Sequence, residues 1–329
     1  NHILDYSRGI ADQIDGWHTA KGQRAHLHKM VERLNAVPKA VVPPKPKTDE
    51  AAIAAKLKAD KVTAIGPNEK VPELDKKFPV TILGASGASW ERLSEGQQRQ
   101  NAIAIDMLIH ALGENCYIVQ GRNKKLGLSE VINQSLKRAN EARKSTGLGE
   151  LYDVGFLVDP KFDESQSYKH LSHMIRVPGQ SLDLADAIVD YTFKRNGTLV
   201  GVSGAAYTRD TILKADQFLE TAPTNQNMLF LLGNTEGASG DKSRVLNPAY
   251  KAMDGRQLLK RLYGERRELF PANFKENDLN QLYDDSVKRV AEYSYNTAGS
   301  TVDNVVPLER VAFLNKHAAS TGGRGGKPN

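Results

Sequence analysis

A single cysteine, Cys116, stands in 329 residues. That scarcity excludes an internal disulfide framework and any cysteine-based zinc cage. Long apolar runs are missing too. The longest, such as Met228 to Leu232, are strand-sized and far short of the ~18–20 residues that cross a bilayer, so the chain is not expected to be transmembrane. An excess of one charge is also absent: 45 basic against 39 acidic side chains leave only +6. So mild a balance does not make a nucleic-acid binder, and it is compatible with an acidic partner or membrane surface. What is present is 40% hydrophobic and 26% charged residues, enough to bury a core and too apolar for a disordered chain. The length suits two domains of ~150 residues, or one large α/β domain with extensions. The first residue is Asn1 rather than Met, as in a mature chain whose leader has been removed or in a trimmed one. With the basic balance, this gives an expected mitochondrial location, or otherwise a cytoplasmic one.

Residues 1–78 read differently from the rest. Ile10, Ile14 and Trp17 lie at helical spacing, as do Leu27, Met30, Val31 and Leu34. A stiff break, Val41-Val42-Pro43-Pro44-Lys45-Pro46-Lys47, cannot continue a helix. Asp49 to Lys61 then reads as a further exposed helix. This stretch holds 14 basic and 10 acidic residues, so it supplies +4 of the +6. It is expected to be a helical arm that wraps a partner or is simply solvated, since its apolar surface is too small to hold it folded alone.

From Pro79 the pattern alternates. Strands are expected at 80–83, 116–119, 154–158, 198–202 and 228–232, most of them followed by a helix. Strands this apolar, joined by helices, predict an α/β domain over residues 79–247: a Rossmann-like parallel sheet covered on both faces. Residues 248–315 read as a helical extension, and residues 316–329, rich in glycine, as a flexible tail. No internal repeat is visible.

In an open parallel sheet, ligands bind beyond the carboxyl ends of the strands. Three turns there carry glycine: Gly84-Ala85-Ser86-Gly87; Gln120-Gly121-Arg122 running on to Leu126-Gly127; and Ser203-Gly204-Ala205-Ala206-Tyr207-Thr208. Glycine lets a backbone approach a phosphate, and a following helix offers free N–H groups and a positive dipole end. Gly84, Ser86, Gly87, Gly121, Arg122, Gly127, Gly204 and Thr208 are therefore candidate ligands for a nucleotide or phosphate. Small residues also serve merely to join strand to helix, and both readings stand.

These turns resemble the loops of the lonely-guy (lysine-decarboxylase-like) nucleotide-binding family. The likeness covers roughly residues 79–235 and lies in order and spacing: Gly84-Ala85-Ser86-Gly87, then Val119-Gln120-Gly121 with Leu126-Gly127-Leu128, then Gly204 to Thr208. The resemblance implies a Rossmann-like sheet and cleavage of the N-glycosidic bond of nucleoside 5′-monophosphates. It also implies a third loop of the form Pro-Gly-Gly-x-Gly-Thr-x-x-Glu. This chain has Ser203 for the proline, Ala205 and Tyr207 for two glycines, and Thr211 for the carboxylate, with Asp210 one residue early. The helix expected to bear the family's arginine has none between Leu182 and Val189, and Arg195 lies nearer the strand. Glycosidic cleavage needs a positioned carboxylate and stabilisation of the oxocarbenium-like charge. The resemblance therefore predicts a divergent member without catalysis. Should activity persist, Asp210 and Asp186 are the candidate carboxylates, and Arg122, Lys124 or Lys125 would take the phosphate.

Other patterns rank lower. Asp183, Asp186 and Asp190 share one helical face, where solvation is the simpler reading. Gly233 to Ser243 lacks the contiguous Gly-Lys-Ser of a phosphate loop because Asp241 interrupts it. The pairs His26/His28 and His170/His173 have no cysteine or carboxylate cluster beside them, so no metal is expected. Lys251, Arg256, Lys260, Arg261, Arg266 and Arg267 form a basic cluster over 251–267, a candidate contact for anionic lipid or RNA and otherwise a solvated face. Tyr283, Tyr293 and Tyr295 suit a core or interface better than base stacking. The expectation from sequence is a non-catalytic structural or interaction subunit of a larger assembly, with no resident cofactor, docking other subunits through its arm and C-terminal helices. The alternative is an active phosphoribohydrolase or a nucleotide sensor.

Overall fold

The computed structural model describes residues 49–85, 87–121, 127–158, 162, 167–177, 181–221, 229–232 and 254–293. The chain divides into two units, Asn1–Lys47 and Thr48–Asn329, and every described residue belongs to the second. The elements of this unit, in chain order, are α1 (Glu50–Ala59), β1 (Thr63–Ile65), α2 (Pro72–Asp75), β2 (Phe78–Gly84), α3 (Ala88–Glu91), α4 (Glu95–Ala111), β3 (Cys116–Gly121) and α5 (Leu128–Ser145). They continue with β4 (Asp153–Val158), β5 (His173–Val177), α6 (Ser181–Phe193), β6 (Thr198–Val202), α7 (Ala206–Thr221), β7 (Leu229–Leu232), α8 (Gly255–Glu265), a 3₁₀ turn at Arg267–Leu269, and α9 (Asp278–Val290).

The strands form one sheet in the order β1-β5-β4-β3-β2-β6-β7, and each described pairing is parallel. The protein is a Rossmann-like α/β fold. Its strands alternate faces with period two, as pleated strands must. Val80, Ile82, Ile118, Val200, Phe230 and Leu232 point into one core with α4, α5, α8 and α9. Leu83, Tyr117, Val119, Leu199, Leu229 and Leu231 point into the opposite core with α6 and α7. Both faces are thus covered, and apolar residues at consecutive positions are what that arrangement demands.

Two strands were not expected. Thr63–Ile65 falls in the stretch read as a helical arm, yet it pairs with β5, Thr63 opposite His173. Its three residues are too few to show alternation, and two are exposed. β5 itself begins at His173 and contains Arg176, which hides its apolar pattern. His170 and His173, three apart as on a helix, do not share one, since His173 opens this strand. Helix α1 is not an isolated arm segment either: Ile53 and Leu57 are buried with Leu157, Leu171 and Met174. Asp49 caps it, its carboxylate accepting from the Ala52 amide at 3.0 Å. The rest of the expected arm, with its proline-rich break, lies outside the described residues.

Helix α4 holds the centre. It starts at a capping box in which Ser94 and Gln97 satisfy each other's amides, and every residue from Asn101 to Ile109 is buried. A helix buried all round needs cover on both sides. The sheet supplies one side; α8 and α9 supply the other. Gly255 begins α8 so close to α4 that a Cβ there would sit 2.8 Å from the Ala104 Cβ. The described part of the C-terminal extension is therefore a further layer over the α4 face of the sheet.

Candidate functional site

The three glycine-bearing turns do sit side by side, because β3, β2 and β6 are neighbours in the sheet. The sequence placed them correctly. Three of their glycines are required by contacts within the chain. A Cβ on Gly84 would overlap the Val202 carbonyl and come within 2.7 Å of Leu128. Gly127 has a φ of +119°, and a Cβ there would lie 2.8 Å from the buried ring of Trp90. Gly204 has a φ of +97°, and its Cβ would overlap the Thr208 side chain. Each of these positions requires glycine for contacts within the chain, before any ligand is considered. Gly121 is the exception, meeting only Leu83 at 3.4 Å. Gly87, with a φ of +52°, caps the short α3. Ser86 and Arg122 lie outside the described residues, as do Lys124 and Lys125.

Thr208 is buried, and its hydroxyl donates to the Gly84 carbonyl at 3.4 Å, tying the first turn to the third. Tyr207, at a position where the resembled family has glycine, packs half-buried on the cluster that holds Leu83 and Ile212. Burial pushes its phenol well above the usual range, a shift that Thr211 only partly offsets. One polar contact at this edge was invisible in the sequence. Asn101, fully buried on α4, donates from its amide to the Ser203 hydroxyl at 3.0 Å, and its own oxygen is unpartnered. Ser203 holds a φ of +51°, a left-handed backbone unusual for a serine. The available signal was a polar residue opening the otherwise apolar run Asn101 to Ile105.

The candidate carboxylates are not gathered at these turns. Asp186 is largely exposed and forms an ion pair with Lys214, linking α6 to α7. Asp190 pairs with Lys194 at 2.6 Å on the helix surface. Asp210 is half-buried on α7 and has no ion pair among the described residues. Arg195 follows α6, at the end of the helix that leads into the start of β6. Its guanidinium lies 4.0 Å above the Tyr191 ring and donates to the Glu69 carbonyl at 3.0 Å. Cys116 is no nucleophile: burial pushes its thiol up to about 12.

The remaining motifs resolve into structural roles where they can be seen. His173 sits 3.1 Å from Glu73 and 2.9 Å from Ser172, and among the described residues no group of three or more metal-binding side chains occurs. His26, His28 and Gly233 to Ser243 lie outside the described residues. In the 251–267 cluster, Arg256 stacks 3.7 Å from the Tyr283 ring, Lys260 pairs with Glu276 at 2.8 Å, and Arg261 pairs with Glu265 at 2.7 Å. Arg266 is buried and donates to the Asn196 carbonyl and the Thr198 hydroxyl, while Arg267 donates to the carbonyls of Pro271 and Ala272. Arg267 lies in the 3₁₀ turn after α8 and so does not share that helix with Arg256 and Lys260. Tyr283 and Tyr293 pack on the α4 core, as expected.

No family model matches the chain, and no curated protein matches it. Among solved structures it is similar to the X-ray structure of TM1055, a Northeast Structural Genomics Consortium target. The identity is 20% and the TM-score 0.37, over 55% of this chain and 88% of that one. The fold assignment rests on the strand order and pairing of this chain itself. No helix among the described residues is long and apolar enough to cross a membrane.

Proposed function

We propose that this protein is a non-catalytic subunit of a larger assembly, built on a Rossmann-like fold of the nucleotide-binding type. One observation carries the reading: at three glycines of the carboxyl edge, Gly84, Gly127 and Gly204, the space a side chain would take is filled by the chain's own atoms. The Val202 carbonyl and Leu128 occupy the space beside Gly84, Thr208 that beside Gly204, and Trp90 that beside Gly127. Cleaving an N-glycosidic bond needs a carboxylate held at the reacting carbon and a cation or dipole for the developing charge. Asp186 is engaged with Lys214 on the outer surface of two helices, and Arg195 serves the Tyr191 ring. The C-terminal helices turn their apolar sides onto α4 and present paired charges outward, Lys260 with Glu276 and Lys288 with Asp285, a surface suited to a polar subunit contact. A mitochondrial location and docking by the N-terminal arm belong to the same proposal. Its test is incubation of the purified chain with a panel of nucleoside 5′-monophosphates, with free base measured. No release is expected; turnover that disappears in Asp210→Asn would overturn it.

A second reading, a nucleotide sensor or a divergent phosphoribohydrolase, is favoured by the buried Asn101 oxygen, which has no partner among the described residues, beside the left-handed Ser203. Calorimetry against the same nucleotides separates the two. Binding that weakens in Asn101→Ala without base release supports the sensor, and the absence of heat at high micromolar concentration removes it.

A further inference from the structure

The contact between α9 and the body of the molecule is built around a buried charge. Asp106 on α4 is fully buried. One of its oxygens accepts from the Ser135 hydroxyl of α5 at 3.0 Å and from the Tyr293 hydroxyl just after α9; the other accepts from Arg289 of α9 at 2.8 Å. Beside this cluster, one turn along α4, lies His110, its Nε2 3.5 Å from Asp106. The charged groups facing His110 come from all three helices: Asp106 from α4, Arg138 from α5, and Asp285 and Arg289 from α9. Helix α9 packs along this part of α4, and the His110 side chain is left only 12% exposed with its Nε2 buried. Its other attachments are Leu279 and Val290, buried, Leu282 and Val287, half-buried, the Tyr283 ring under Arg256, and the pair of Arg138 with Glu292 just beyond the helix.

We infer that α9 is an acid-released latch: lowering the pH lifts it from α4 and α5 while the sheet remains folded. A charged imidazole would gain from Asp106, but that carboxylate is already taken by Arg289, Tyr293 and Ser135. Arg138 and Arg289 oppose the new charge, and burial opposes it most, so the closed latch holds His110 neutral down to about 4 rather than 6.5. Lifting α9 wets the ring and restores its ordinary behaviour. The histidine's folded value is depressed, so protons bind preferentially to the lifted state. The closed state is favoured above pH 6.5 and loses ground tenfold per pH unit from there down to about 4, or about 300-fold in all. Release uncovers the apolar faces of α4 and α5 beneath the helix.

The test is hydrogen exchange of the full chain, read by mass spectrometry between pH 7.5 and 4.5 and corrected for the intrinsic pH dependence of exchange. The opening of α9 peptides is expected to rise about tenfold per pH unit below 6.5, while β2 and β3 peptides keep their protection. In His110→Gln that rise should vanish. Should this variant not fold, Arg138→Gln serves instead: with one opposing cation gone, the acid response of α9 should level off at a higher pH and fall short of the wild-type range. Loss of protection in α9, β2 and β3 together at one pH would overturn the latch. So would an unchanged acid response in His110→Gln, or in Arg138→Gln if only that variant folds.

Discussion

Gly84 and Gly121 end neighbouring strands and look alike in sequence, yet they should respond oppositely to one added methyl group. Gly84→Ala drives that methyl into the Val202 carbonyl and is expected to cost about 2–3 kcal/mol. Gly121→Ala meets only ordinary contact with Leu83 and should stay within about 0.5 kcal/mol. Urea unfolding of both variants checks the pair, and equal losses would refute the packing account. Asp216 on α7 makes a second case. It is buried, both its oxygens lack hydrogen-bond partners among the described residues, and burial followed by the nearby Glu220 raises its pKa above the usual carboxylate range. A raised carboxylate binds its proton more tightly folded than unfolded, so its contribution is fully present below pH ~4 and is lost as the pH rises through the folded value. Asp216→Asn should therefore stabilise the protein at pH 7 by about 1 kcal/mol and do little at pH 4, as read from denaturation midpoints. The sequence located the turn glycines but not their purpose, because what a Cβ would meet is decided by Val202, Leu128 and Trp90, which only folding brings near.

Among the elements, the strands that announced themselves were the continuous apolar runs such as Val80-Thr81-Ile82-Leu83 and Thr198 to Val202, buried on both faces. β1 and β5 did not, one for its brevity and the other because His173 and Arg176 interrupt it. Their signal lies in pairing with each other, which no local window contains. The helices beyond Lys251 were legible as helices. Their seat on α4 was not, since it depends on one carboxylate in the apolar stretch Ala102 to Ile109. Asp106→Ala leaves Arg289 without its partner at the foot of α9 and is expected to cost about 3–5 kcal/mol. The loss should be measurable as a lowered urea midpoint, and a loss under 1 kcal/mol would show that α9 is held by its apolar contacts alone. Arg266 plays the matching part for α8, clamping Asn196 and Thr198 at the start of β6, and Arg266→Ala should cost a similar amount on the same measurement.

At the scale of the whole molecule, the position where the sequence grammar changes, Pro79, is not where the sheet begins. A chain starting at Thr48 keeps α1, β1 and α2; one starting at Pro79 loses all three. It also loses the buried Ile53 and Leu57, the bond from Asp60 to the Tyr168 amide, and the Glu73 partner of His173. The shorter chain should melt at a clearly lower temperature in calorimetry, and equal melting temperatures would mean that β1 adds nothing. That strand has a further consequence in time. Its one sheet neighbour among the described residues is β5, roughly 110 residues later, so during synthesis β1 emerges long before that partner exists. The earliest of the described strands is thus secured only after β2, β3 and β4 have been made. Until the ribosome has passed Val177, Ile53, Leu57 and Ile65 are surfaces a chaperone would find.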